Sequence, residues 1–348
     1  MALAIALVAV TASCRHDEER AAGVMLERAG LAFTRYASAE QPSVWLADAD
    51  GSHARRVISG AYSPKLSPDG RRLAYMVPRD DDPSALPTLF VGDVAGGKPR
   101  RVGPAFAYEW APDSRRLAVH APAASLLLFD VRSGKRRTLV RGRVIGGSSF
   151  APDGSAIAYG RWSGGVGRKY RSDIFVIDLA AGRVTRLTHN RQSDEPVWGR
   201  GWIVYRRFHF SGDWSIGRLH LMRPDGTSDH LFARGDERTS LARMGLRPLE
   251  LSANGKVLLA CAAAEFHCAP VMILVPRGVG ASFDDTVRRL ARAGELANAA
   301  DLSRDGRAVL FTVNPFDSPV GGRVYAARSD GGEPRLLLRN GTEASWAR

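Results

Sequence analysis

The sequence predicts an all-β protein, a seven-bladed β-propeller built from four-stranded blades, with six blades as the alternative count. Two observations lead to this prediction. One motif recurs six times at the period of a propeller blade, and an incomplete repeat stands at each end of the chain. The chain has 348 residues, 45% of them hydrophobic. A propeller of this length folds as a single unit.

The recurring motif is a short strand that ends at an anchor residue, followed by a turn and a buried strand, as in PKLSPDGRRLAYMV (64–77). In the Pro-Asp-Gly turn, proline presets φ, aspartate hydrogen-bonds to the backbone through its side chain, and glycine takes positive φ. The anchors are spaced 40 to 53 residues apart, which is typical of propeller blades. They are Leu66, Trp110, Phe150, Trp198, Leu251, Leu302 and Trp346.

Each repeat continues with an alternating strand such as TLFVGDV (88–94) or DIFVIDL (173–179), then an Asp/Gly turn and a closing strand. Four short strands per repeat make up a four-stranded blade. Sustained helical periodicity is absent, apart from an ambiguous stretch at 284–293.

The two ends of the chain complement each other. The segments 31–36, 43–48 and 54–59 read as the second, third and fourth strands of a blade without a first strand, and the segment ending at Trp346 reads as a first strand alone. We therefore expect the termini to complete one blade by strand exchange, which removes the exposed edges of an open sheet.

The N-terminus carries an export pattern. Residues 2–10 are an uninterrupted apolar run, too short to span a membrane, and small residues lead to Cys14 and a charged stretch. This pattern resembles a bacterial lipoprotein signal. It predicts a signal peptide over 1–13, a lipidated Cys14 that begins a linker over 14–29, the propeller over 30–348, and a location on the periplasmic side of the envelope. The alternative is a plain cleaved signal peptide with Cys14 incidental.

The net charge of +13 raises the question of nucleic acid, since phosphate contacts dominate that kind of binding. The basic residues are nearly all arginines, and they are spread along the chain as pairs such as Arg71-Arg72 and Arg288-Arg289. We expect a solvated basic surface rather than a nucleic-acid site, and a monomer that meets the membrane only through its lipid anchor.

The repeats resemble the TolB-like propeller family, whose repeats carry an SPDG turn before a strand of the IAF or IAY type. The clearest match is RLTHNRQSDEPVWGRGWIVY (186–205), with Gly199-Arg200 in place of the usual Ser-Pro-Asp. The resemblance covers roughly residues 30–348. It implies the fold, and it does not by itself specify a function.

Oligogalacturonate lyases also resemble this propeller and use a histidine-bound divalent metal. That resemblance makes His189, His209 and His220 the candidates for binding one divalent metal ion. The alternative is that these histidines are simply exposed or packed on loops and strands. No GxSxG elbow, phosphate loop or HExxH motif is present.

The innermost strands carry unexpected acidic residues. The positions one and three before each anchor share a face, because side chains alternate along a strand. Five of these fourteen positions are acidic, one is Lys65 and none is arginine. One hypothesis is an acidic central channel that binds a cation or a basic segment. The alternative is that the carboxylates accept hydrogen bonds from backbone N–H groups. The acidic positions are Glu109, Glu195, Glu250, Asp301 and Glu343.

Two cysteines flank a short hairpin. Cys261 ends one apolar run and Cys268 opens the next, so a tight hairpin could bring the two thiols across from each other in a disulfide. A metal site formed by Cys261, His267 and Cys268 is a weaker alternative, because it lacks a fourth ligand at zinc-type spacing.

These observations favour a non-catalytic binding or scaffold module that recognises an envelope protein or glycan and needs no cofactor. The contact surface would be the channel or the rim loops 78–88, 162–172 and 209–216. The alternative is a metal-dependent polysaccharide lyase or hydrolase that acts at the channel mouth and requires a convergent cluster of histidines and carboxylates.

Overall fold

The computed structural model describes residues 29–79, 85–211, 214–232, 245–264, 267–274, 287–289, 296–303, 305–314, 320–329 and 333–347. These residues form seven four-stranded antiparallel sheets, and the fold is that of a β-propeller. The predicted fold class is confirmed, and the seven sheets agree with the count of seven blades rather than six. Within this part of the chain, no helix is long and apolar enough to cross a membrane.

The blades follow one another along the chain, each ordered from its innermost to its outermost strand. Blade one is β4 (Tyr62–Leu66), β5 (Arg72–Val77), β6 (Thr88–Asp93) and β7 (Arg100–Pro104); blade two is β8 (Ala107–Trp110), β9 (Arg116–Ala121), β10 (Ser125–Asp130) and β11 (Arg136–Val140). Blade three is β12 (Val144–Phe150), β13 (Ala156–Gly164), β14 (Arg171–Asp178) and β15 (Val184–Arg186), with a 3-10 turn at Gly167–Lys169.

Blade four is β16 (Ser193–Gly199), β17 (Trp202–Ser211), β18 (Trp214–Met222) and β19 (His230–Leu231). Blade five is β20 (Leu246–Leu251), β21 (Val257–Ala264), β22 (His267–Leu274) and β23 (Val287–Arg289). Blade six is β24 (Leu296–Leu302), β25 (Ala308–Asn314), β26 (Arg323–Arg328) and β27 (Arg335–Arg339). Blade seven is β28 (Thr342–Trp346), β1 (Leu31–Tyr36), β2 (Pro42–Ala47) and β3 (Arg55–Ser59).

Blade seven joins the two ends of the chain. The last strand, β28, pairs antiparallel with β1, with Leu31 opposite Trp346 and Ala32 opposite Ser345. The predicted strand exchange is therefore confirmed. The pairing satisfies backbone groups on β1 that an open blade would leave exposed.

The turn after the anchor of blade one is linked to the corresponding turn of blade two. In blade one, the Ser67 hydroxyl donates to Asp69 at 2.6 Å, and Gly70 takes φ 69°. Blade two has Ser114 at the glycine position, in the left-handed region at φ 59°. The Ser114 hydroxyl accepts a hydrogen bond from the backbone N–H of Asp69 at 3.0 Å, so the departure from the motif is used to join two blades.

The core lies between blades, where one sheet face packs on the next. Five of the seven anchors are buried there, and Trp198 and Trp346 are half-buried. Trp110 lies with Leu117 and Val91, and Phe150 lies with Ile157 and Ala111. The anchor position, which is aromatic in four blades and leucine in three, thus serves inter-blade packing.

Two segments differ from the secondary structure that we expected from the sequence. The rim loop expected over 209–216 is mostly strand, because β17 and β18 run on as a long hairpin that pairs Phe210 with Ser215 and Ser211 with Trp214. The ambiguous stretch at 284–293 contains a strand, β23, that pairs with β22. The described part of the rim segment 162–172 includes the 3-10 turn, and residues 80–84 of the segment 78–88 lie outside the described residues.

Candidate functional site: the central channel

The innermost strands of all seven blades surround a central cavity of about 800 Å³. The five carboxylates singled out from the sequence line this cavity: Glu109, Glu195, Glu250, Asp301 and Glu343. Lys65 and Arg247 also line it. The described residues that line the cavity thus include five acids and two bases, an excess of three negative charges in a chain whose net charge is +13.

Six of the seven described innermost strands carry a register shift against their neighbour, which marks a β-bulge. In three blades the residue three before the anchor adopts left-handed backbone although it is not glycine: Ser63 at φ 48°, Glu195 at 53° and Glu343 at 49°. The bulge re-aims these side chains towards the adjacent blade, which simple alternation along a strand does not anticipate.

The carboxylates just before two anchors bind the next blade. Glu250 accepts a hydrogen bond from the backbone N–H of Leu302 at 3.0 Å, and Asp301 accepts one from the N–H of Trp346 at 2.9 Å. Ser149 plays the same part with its hydroxyl, which accepts from the N–H of Trp198 at 3.0 Å. These two carboxylates therefore accept hydrogen bonds from backbone N–H groups, as the alternative to a ligand-binding role predicts.

Glu343 joins the closing strand to two other elements. Its carboxylate accepts hydrogen bonds from the Thr34 hydroxyl (2.8 Å), from the backbone N–H of Ser63 (2.8 Å) and from the Ser63 hydroxyl (2.9 Å). Glu343 and Ser63 are both bulge residues, so the contact runs from one bulge to the bulge of the next blade. All three donors are uncharged groups.

Glu195 lies in an ionic cluster on blades four and five. The guanidinium of Arg247 donates to both of its carboxylate oxygens, and Arg206 lies 3.4 Å from it. Arg206 in turn forms a bidentate pair with Asp194, with both N–O distances at 2.7 Å. Tyr170 donates its hydroxyl to Asp194 at 3.1 Å.

Burial sets the electrostatics of this cluster. Asp194 is 2% exposed, and burial raises the pKa of its carboxyl above the ordinary value. Burial alone would lower the pKa of Arg206, but the hydrogen bond to Asp194 and the charges of Glu195 and Asp194 raise it overall. The guanidinium therefore stays charged, and it compensates two carboxylates at once.

His120, which the sequence analysis did not predict as a site residue, lines the channel at blade two. Its Nε2 lies 2.8 Å from the hydroxyl of Ser148 on blade three. Burial, together with the nearby charge of Lys65, lowers the pKa of His120 to about 4. The imidazole is therefore neutral at pH 7.

The three histidines proposed as metal ligands do not converge. His209 is exposed on β17 opposite Ile216, and His220 is buried on β18 opposite Tyr205, about 13 Å away along the hairpin at the usual rise per residue. His220 instead contacts Asp229 at 3.2 Å, and His189 is exposed beyond β15. Within the described residues, no three His, Cys, Asp or Glu side chains form a group that could hold a metal ion.

Cys261 forms a disulfide and lines the channel. In the antiparallel register Cys261 lies opposite Pro270, and Cys268 lies on the adjoining strand opposite Ala263. The side chains of His267 and Cys268 lie outside the described residues, so the pairing of Cys261 with Cys268 stays a prediction. Cys14 and the segments 1–13 and 14–28 also lie outside them.

Comparison with known proteins supports the fold and no narrower assignment. No family model matches the chain. It is similar to dipeptidyl-peptidase 5 of Porphyromonas gingivalis, with 38% identity over 89 residues, which is 23% of this chain and 13% of that protein. The chain thus matches only about an eighth of the length of this curated relative.

Three solved structures are similar over most of the chain. TolB from Acinetobacter baumannii matches with 16% identity and a TM-score of 0.55, over 95% of this chain and 85% of that one. The β-propeller domain of the Trilobed protease from Pyrococcus furiosus, which has an open velcro topology, matches with 14% identity and a TM-score of 0.64, over 90% and 93%.

An oligogalacturonate lyase in complex with manganese matches with 12% identity and a TM-score of 0.57, over 90% of this chain and 86% of that one. At such identities the likeness concerns the fold alone, and the chain is a β-propeller of the kind found in TolB and in these enzymes.

Proposed function

We propose that this protein is a non-catalytic binding propeller of the bacterial cell envelope, and that its central channel receives a basic segment of a partner protein. The observation that carries the proposal is the excess of three negative charges around a cavity of about 800 Å³ in a strongly basic chain. A channel of one sign of charge with low-dielectric walls focuses its field on an incoming ion of the opposite sign.

The hydrogen bonds made by the channel carboxylates are compatible with this role. Backbone N–H groups hold Glu250 and Asp301 in place and add no positive charge. An ionised carboxylate has about four acceptor positions, so one or two such bonds leave room for a ligand's ammonium or guanidinium group. The carboxylates would thus be fixed in advance, which lowers the entropic cost of binding.

Gly147 offers a clean way to test the channel. It lines the cavity, its φ is not positive, and a Cβ built on it would meet no atom within 4 Å. Gly147→Arg should therefore fold normally while it fills the channel and removes part of its negative potential. Gly147→Ala, which adds only a methyl group, is the matched control.

The measurement is titration with a fluorescent tetralysine peptide at low salt, alongside capture of proteins from envelope extracts. We expect the wild type and Gly147→Ala to bind the peptide, and Gly147→Arg to bind about tenfold more weakly or less. Equal binding by all three proteins would place the peptide elsewhere on the surface and would refute the channel as the site. A tetraglutamate peptide should bind none of them through the channel.

The envelope location rests on the sequence pattern at residues 2–14 and is supported by the disulfide at Cys261, which suits an oxidising compartment. We expect Cys14 to carry the lipid. Cys14→Ala should release the protein from the membrane fraction into the soluble periplasmic fraction and abolish metabolic labelling with palmitate. Unchanged membrane association of the variant would contradict lipid anchoring.

A further inference from the structure

A second cavity lies at the end of blade three, away from the central channel. Its volume is about 310 Å³, and the described residues that line it include five arginines and one acidic residue, Asp173, an excess of four positive charges. The arginines are Arg143, Arg161, Arg171, Arg186 and Arg191. We refer to this cavity as the arginine pocket.

Strand register brings these side chains to one face of blade three. Arg161 on β13 lies opposite Asp173 on β14, and Phe175 lies opposite Arg186 on β15. Since alternate residues of a strand point to the same side, Arg171, Asp173 and Phe175 share that face. The sheet itself therefore groups charges that are spread over the sequence.

Asp173 does not neutralise the pocket. It is 1% exposed, and its carboxylate accepts hydrogen bonds from Arg186 (2.6 Å), from the Thr188 hydroxyl (3.1 Å) and from the backbone N–H of Arg191 (3.0 Å). Its role is to orient Arg186 and the loop that carries Arg191. Arg143, Arg161 and Arg191 pair with no carboxylate among the described residues.

Two aromatic rings complete the wall. Trp162 lines the cavity, and its indole N–H donates to the carbonyl of Gly165 at 2.9 Å, which fixes the ring. Phe175 also lines it, with the guanidinium of Arg161 5.4 Å from its ring centre. The pocket thus offers apolar faces beside its charges.

We propose that the arginine pocket binds a phosphate monoester carried on a sugar-sized group. One carboxylate is satisfied by a single bidentate arginine, whereas a phosphate monoester carries about −1.5 to −2 charge and three terminal oxygens that can accept from several guanidinium groups. The cavity is at the small end of the range for ligand sites, which suits a phosphate with one ring against Trp162.

Two of the pocket arginines can be replaced by glycine without straining the backbone, which removes two positive charges from the pocket. Arg143 and Arg191 adopt left-handed φ values of 65° and 60°, which glycine adopts without strain. The double variant Arg143→Gly/Arg191→Gly should therefore fold at least as well as the wild type. Its matched control is Arg132→Ala/Arg183→Ala, which removes two exposed arginines from outside the pocket.

The test is calorimetric titration with glucose 6-phosphate, inorganic phosphate, glucuronate and glucose. We expect glucose 6-phosphate to bind the wild type and the control alike, the pocket variant to bind it about tenfold more weakly or less, and glucuronate and glucose to bind far more weakly. Equal binding of glucose 6-phosphate by all three proteins, or equal binding of glucuronate and glucose 6-phosphate, would show a general attraction of anions and overturn the proposal.

The phosphate monoester could be soluble or could belong to a lipid headgroup, and flotation with vesicles separates these sources. A lipid on Cys14 would itself hold the protein on any vesicle, so both proteins are compared in the Cys14→Ala background. Vesicles of phosphatidylcholine with added phosphatidic acid should then retain the protein with the intact pocket and lose the pocket variant if the source is a headgroup. Tight binding of free glucose 6-phosphate without vesicle binding identifies a soluble ligand. The Gly147→Arg variant should leave all of these results unchanged, since the central channel is a separate site.

Discussion

The carboxylate of Asp301 accepts a hydrogen bond from the backbone N–H of Trp346 at 2.9 Å, and it thereby ties blade six to the strand that closes the ring. Trp346 pairs in turn with Leu31 at the other end of the chain. One buried carboxylate thus supports the joint on which the closed propeller depends.

Asp301→Ala should lower the free energy of unfolding by about 1.5–3 kcal/mol, because a hydrogen bond to a charged acceptor is lost and the N–H of Trp346 is left without this partner. Asp301→Asn retains an acceptor oxygen and should lose less. Urea denaturation measures both. The exposed Glu333→Ala serves as the control and should stay within about 0.5 kcal/mol of the wild type. An Asp301→Ala protein as stable as this control would contradict the role given to Asp301.

The fold was predictable from the sequence because the same motif recurs from blade to blade: an anchor residue, a turn and a buried strand. Closure was predictable too, since the strands missing at one end are present at the other. The five carboxylates could be placed on the innermost strands by the same reasoning. Their partners could not, because these depend on how neighbouring blades meet.

The pair of Asp194 and Arg206 illustrates that limit. If the register next to the turn at Arg200-Gly201 continued without a bulge, residue 194 would lie opposite residue 207. The bulge shifts the register by one residue, so Asp194 lies opposite Arg206 instead. A bulge of one residue leaves no clear mark in the sequence, yet it decides which arginine neutralises a buried carboxylate.

The neutral His120 makes stability depend on pH. Its folded-state pKa of about 4 lies below the ordinary value of 6.5, so between these values the unfolded chain binds more protons than the folded one. The free energy of unfolding should therefore fall as the pH drops from 6.5 towards 4. The loss can reach about 3 kcal/mol, since one pKa unit corresponds to about 1.4 kcal/mol.

His120→Gln should remove this part of the pH dependence while an amide still contacts Ser148. The measurement is urea denaturation of both proteins at intervals between pH 7 and pH 4.5. His189→Gln, at an exposed position, is the control and should follow the wild type. If His120→Gln also follows the wild type, the channel histidine is not the titrating group.

The disulfide of Cys261 should join it to Cys268, since the register places the two cysteines on adjoining strands. Peptide mapping without reductant should yield one linked pair that contains both residues. Cys261→Ser should cost about 2–3 kcal/mol of stability, the value expected for a short closed loop. A linked peptide that contains Cys14 instead would contradict this pairing.

The cluster around Arg206 should behave as one unit. Asp194→Ala leaves Arg206 buried with only part of its compensating charge, and a broken buried pair costs about 3–5 kcal/mol. Arg206→Ala should cost a similar amount, because it leaves Asp194 buried without its bidentate partner. The double variant should lose clearly less than the sum, since it leaves neither charge stranded. A double-mutant cycle by urea denaturation measures this coupling, and strictly additive losses would show that the two residues act independently.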